Sequence, residues 1–279
     1  MLLMARFKVP GGKLLVSIAM WAWWGLAARA AVAQATNAGA QLAAVTLMQQ
    51  QIGLDNDIPN ERNLKGLRIQ FEKITDLQQP DGRVVRYRML APGAPEGRNY
   101  VLEVWRIGTQ VQLTPQPVYT NAKGLVMWHA PRKGQEEKVS LDSKEEIEVD
   151  LKAARGEAIR YILVSPDGKI FIPGTVVPFP VESKNGNCRM EARLGFPEGE
   201  GILVYVDGLV PGSAVPLQTV SGSETNSPQV VADEHGHAVA IVTPVVPGTN
   251  AGVVRISMSI KACSVWVEVP WGDGSYRPM

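Results

Sequence analysis

The sequence predicts an all-β protein with two antiparallel sandwich modules in tandem, placed after an N-terminal signal segment and a short linker. Three observations predict it. From Leu67 onward, apolar residues fall in short runs bounded by Gly, Pro, Asn and Asp, the pattern of strands and their turns. The series breaks at Pro178-Phe179-Pro180 and then restarts. Beyond residue 65, few stretches repeat with a helical period.

In the first series Leu67, Ile69 and Phe71 alternate with polar residues, as do Val85, Tyr87 and Met89. Strands are expected next at Tyr100–Ile107, Val111–Leu113 and Gly124–Trp128. Ile147, Val149 and Leu151 are spaced by two, so this stretch reads as a strand although Ser143–Glu146 has the form of a helix cap. Ile159–Val164 and Ile170–Val177 flank Ser165-Pro166-Asp167-Gly168, a tight-turn sequence. This series makes up a first module over residues 66–181.

The second module, residues 182–279, holds expected strands at Cys188–Leu194, Ile202–Val206, Val215–Val220, Gln229–Ala232, His237–Val242, Val253–Ile260 and Ser264–Val269. Asp233-Glu234-His235-Gly236 reads as a hairpin turn, with glycine relieving positive φ. The two series echo each other, Val177-Pro-Phe-Pro180 against Val269-Pro-Trp-Gly272 and Tyr100–Val104 against Ile202–Val206, as related tandem units would.

On Val206-Asp-Gly-Leu-Val-Pro-Gly-Ser213 and Ala232-Asp-Glu-His-Gly236 above all, residues 67–272 resemble the tandem immunoglobulin-like or fibronectin-like modules of exported bacterial proteins. The resemblance implies a sandwich fold and no particular activity. The antibody pattern of a tryptophan between two cysteines is not reproduced, because Trp266 follows Cys263.

Residues 1–35 carry the parts of a secretory signal. Arg6, Lys8 and Lys13 precede an apolar run from Leu14 to Ala28, and Arg29 ends that run before it reaches the ~20 residues a membrane span needs. Ala31-Val32-Ala33 and Ala33-Gln34-Ala35 both fit a cleavage signal, and an uncleaved anchor is the alternative. Residues 36–65 read as a linker, with Leu42, Val45, Met48 and Ile52 at the spacing of a short helix. Cleavage would remove Arg6, Lys8, Lys13 and Arg29 and no acidic residue, taking 28 basic and 27 acidic residues to a formal charge of −3. That balance argues against a nucleic-acid partner, and contact with a membrane is expected only through the signal segment during export.

Cys188 and Cys263 are the two cysteines, and in an exported chain an even pair reads as one disulfide. They open the first and last strands of the second series. Strands so placed can lie side by side and parallel in such sandwiches, within bonding reach.

Candidate chemistry is sparse. His235 and His237, with Asp233 and Glu234, are residue types that ligate divalent metals, but their place in a hairpin turn accounts for them. Neither a metal nor a cofactor is expected. His129 has no motif around it, Asp55-Asn56-Asp57 lacks the rest of a calcium loop, and no nucleophile elbow, zinc helix or phosphate loop occurs. The mixed-charge stretch Arg132–Glu148 reads as a solvated loop and strand face. Among the tryptophans, Trp105 and Trp266 are expected in the core. Trp271, beside Gly272 and Asp273, is expected to be exposed and available to a partner together with His235 and His237.

The function expected is non-catalytic: a binding or spacer module of the cell envelope or extracellular space, with another macromolecule as partner. A two-module periplasmic chaperone that lends a strand to its client is the alternative. A carbohydrate-active or metal-dependent enzyme comes third.

Overall fold

The computed structural model describes residues 66–80, 82–114, 116–129, 144–197, 199–273, 275–277 and 279. The expected signal segment, the expected linker with its expected helix, Asp55–Asp57, most of the charged stretch after Arg132 and the side chain of His129 lie outside the described residues. Within them the protein is all-β, without helix, and every ladder is antiparallel.

The described residues of the N-terminal half form ten strands: β1 (Gln70–Gln79), β2 (Gly82–Leu90), β3 (Asn99–Trp105), β4 (Gln112–Leu113), β5 (Val118–Thr120), β6 (Val126–His129), β7 (Lys144–Glu146), β8 (Glu148–Leu151), β9 (Ile159–Val164) and β10 (Phe171–Val176). One sheet has the order β1-β2-β8. The other runs β10-β9-β3-β5-β6-β7, with β4 beside β3. Alternation works as the residue pattern requires: Val85, Tyr87 and Met89 point into a core shared with Tyr100, Leu102, Ile159, Tyr161 and Leu163. The turn at Ser165–Gly168 closes as expected. Gly168, at φ +66°, donates its amide to the Ser165 carbonyl at 2.7 Å, and the Ser165 hydroxyl accepts the Ile170 amide at 2.9 Å.

The C-terminal half holds β11 (Val181–Asn185), β12 (Cys188–Leu194), β13 (Ile202–Asp207), β14 (Ala214–Pro216), β15 (Gln218–Ser221), β16 (Glu224–Asn226), β17 (Gln229–Val231), β18 (Ala238–Val242), β19 (Ala251–Ile260) and β20 (Cys263–Gly272). They form sheets β11-β12-β13-β18 and β16-β15-β19-β20 and a ribbon β14-β17. The expected strand Val215–Val220 divides at Leu217, because β14 pairs with β17 while β15 pairs with β16 and β19. Strands β11 and β16 were not expected. Glu182, Lys184 and all of Glu224–Asn226 face solvent, so these segments lack an apolar alternation.

Cys188 and Cys263 are bonded, with α-carbons 6.2 Å apart. Their strands are not the neighbours in one sheet that the sequence suggested. Strand β12 lies inside one sheet and β20 at the edge of the other, so the bond crosses the core between them. Parity explains this. Cys188, Met190, Ala192 and Leu194 point inward from β12, and Cys263, Val265, Val267 and Val269 from β20, into one apolar cluster.

The halves are stitched by specific bonds. Gly156 donates its amide to the Phe179 carbonyl at 2.8 Å and accepts the Leu194 amide at 2.9 Å. Ile107 and Ala154 belong to the C-terminal cluster. The last residues fold back: the Met279 amide donates to the Ala153 carbonyl at 3.1 Å, and the Met279 carbonyl accepts the Arg83 amide. Between them Glu157, fully buried, accepts from both arms of the Arg106 guanidinium, the Ala154 amide and the Tyr276 hydroxyl.

Candidate functional site

The hairpin that carries His235 and His237 is held by Asp233. Its Oδ1 accepts the amides of His235 at 2.8 Å and His237 at 2.9 Å, the self-capping turn that aspartate makes. The His237 and His235 amides hold the Asp233 carboxyl below its ordinary range, His237 contributing most. Gly236, at φ +80°, has the Leu209 carbonyl where a Cβ would sit, so only glycine fits there. The His237 ring meets the Asp207 carboxylate at 2.7 Å, while His235 is 71% exposed beside Glu234. Among the described residues no three His, Cys, Asp or Glu side chains converge as metal ligands would. His235 and His237 belong to the hairpin turn that Asp233 caps.

Trp271 is not the exposed ring the sequence suggested. It is 6% exposed, its indole N–H donates to the Ser221 hydroxyl at 2.9 Å, and the missing side chain of Gly252 makes room for it. Trp266, expected in the core, is 48% exposed. Strand parity decides both. Residues 263, 265, 267, 269 and 271 of β20 point inward, which sends the ring at 266 outward and the ring at 271 inward. That signal was present in the sequence as the alternation of Val265, Val267 and Val269, and a count of apolar residues alone missed it. Trp105 is also only partly buried, one position past the inward-facing Val104, with the Arg160 guanidinium 5.2 Å from its ring centre.

No protein-family model and no curated protein matches this chain. The site rests on its own geometry.

Trp266 stands on the outer face of the β16-β15-β19-β20 sheet. Its cross-strand neighbour is Ser257, and Ser257 faces Gln218 on β15. The next row is Val220, Arg255 and Glu268, and directly opposed residues share a face. The Arg255 guanidinium lies 4.4 Å from the Trp266 ring centre, a cation–π contact that orders both side chains at the surface. The result is a strip with one large aromatic ring, one cation, one carboxylate, Val220, and the hydrogen-bonding side chains of Ser257 and Gln218. The disulfide pins its edge strand at Cys263. Such a surface can stack, donate and accept.

Proposed function

We propose that the chain is a non-catalytic exported protein of two tandem immunoglobulin-like modules that binds another envelope or extracellular macromolecule through the strip around Trp266. The observation that carries this reading is the half-exposed Trp266 ring on the outer face of the sheet. A tryptophan costs free energy to leave in water, and tryptophan and arginine are the side chains that most often anchor macromolecular contacts. Export is supported by the signal-like residues 1–35 and by the Cys188–Cys263 bond, which suits a non-reducing compartment. No described helix is long and apolar enough to cross a membrane. Cosedimentation of the chain with isolated envelope fractions tests the reading. Binding by the native chain and its loss in Trp266→Ala are expected, and equal binding by both would remove Trp266 from the interface.

A further inference from the structure

A cleft of about 310 Å³ lies where β1 and β2 meet the connection at Phe179, against Met279. Its walls carry Lys73, Arg83, Arg155 and Asp76, three cationic side chains against one anionic side chain, with the chain end at Met279 beside them. Asp76 is saturated. It takes Lys73 at 2.6 Å and both arms of Arg83 at 2.7 Å. That fork holds the Arg83 guanidinium over the Phe179 ring, 5.1 Å from its centre, so one cation is fixed in place before any ligand arrives.

Arg155 differs from most arginines of the described surface. Arg86 is paired with Asp150, Arg98 with Asp167 and Arg189 with Glu182. Arg155 has no carboxylate partner among the described residues, and it lines the same cleft as Lys73 and Arg83. Guanidinium groups bind oxyanions through charge-assisted, forked hydrogen bonds. Phe179 is buried beneath Arg83, but the exposed Pro180 and the Met279 side chain supply an apolar wall, and the volume is within the range of small-ligand pockets.

We propose that this cleft binds an organic oxyanion, with a carboxylate or phosphate held by Arg155 beside Arg83 and Lys73, and an apolar body against Pro180 and Met279. It is independent of the strip around Trp266. Calorimetric titration of the full chain at fixed ionic strength tests it, with phenyl phosphate, benzoate and inorganic phosphate as probes. Saturable binding at one site is expected for phenyl phosphate or benzoate, whichever head group the cleft favours, at least about fivefold tighter than for inorganic phosphate. Arg155→Gln, an exposed position, is expected to weaken it about tenfold with an unchanged melting temperature, while Arg98→Gln leaves it unaltered. No saturable heat with either aromatic probe overturns the proposal. Equal affinity for all three probes overturns the apolar wall, and equal loss in both variants shows unspecific attraction to a cationic surface.

Discussion

Tyr276 donates its hydroxyl to Glu157 at 2.7 Å across 119 residues of sequence, and this bond ties the returning C-terminal segment to the N-terminal half. Glu157 is the better placed partner to question by substitution. It is fully buried, and its four donors come from Arg106, Ala154 and Tyr276. Glu157→Gln leaves Arg106 without a counter-charge, and a loss of about 2–4 kcal/mol is expected. Tyr276→Phe removes one donor and is expected to cost about 1 kcal/mol. Urea unfolding of the two variants measures both, and a smaller effect at Glu157 than at Tyr276 would contradict the assignment of Glu157 as the hub.

The same bond makes a pH prediction. Burial first, then the bond to Glu157, pushes the Tyr276 phenol up to about 12, and burial does the same to Tyr161. A folded-state pKa raised above the unfolded value gives a contribution that is complete below the ordinary value of about 10 and is lost as pH rises through 12. Spectrophotometric titration at high pH is expected to show a late tyrosine phase. Tyr276→Phe is expected to shrink that late phase and leave the earlier one, and an unchanged late amplitude would place the phenol in solvent.

The disulfide closes a long loop, its cysteines being 75 positions apart. Chain-entropy reasoning assigns it roughly 4 kcal/mol. Reduction, or Cys188→Ala with Cys263→Ala, is expected to lower the unfolding free energy by about that amount. Peptide mapping without reductant should recover the two cysteine peptides as one species, and two alkylatable thiols in the native protein would refute the bond.

Trp266 and Trp271 are five residues apart and should behave oppositely. Trp271→Ala empties a core position and breaks a bond to Ser221, so a cost of about 3–5 kcal/mol is expected. Trp266→Ala removes a ring from solvent and a contact with Arg255, for which about 1 kcal/mol or less is expected. Thermal or denaturant unfolding of the pair ranks them, and a reversed order would mean that β20 presents its other face.

Much of this architecture was legible because strands advertise themselves by period. Val85, Tyr87 and Met89, or Val265, Val267 and Val269, point inward as their spacing requires, and the turns at Gly168 and Gly236 fall where φ must be positive. The cysteine pairing was legible from count alone, but its geometry was not, because whether β12 and β20 share a sheet depends on contacts remote in sequence. Trp266 and Trp271 were misplaced by reading hydrophobicity without parity. The Glu157 cluster and the cleft at Phe179 join Arg106 to Tyr276 and Arg83 to Arg155, and no local pattern announces such meetings.

The strip around Trp266 is the centre of this account, and a binding comparison with an internal control tests it most directly. The native chain, Trp266→Ala, and Leu113→Ser, which alters a more exposed apolar residue in the other half (63% exposed), would be titrated against isolated envelope fractions. The strip predicts at least about a tenfold loss of affinity in Trp266→Ala and none in Leu113→Ser. Equal affinity in all three, or loss only in Leu113→Ser, would contradict it.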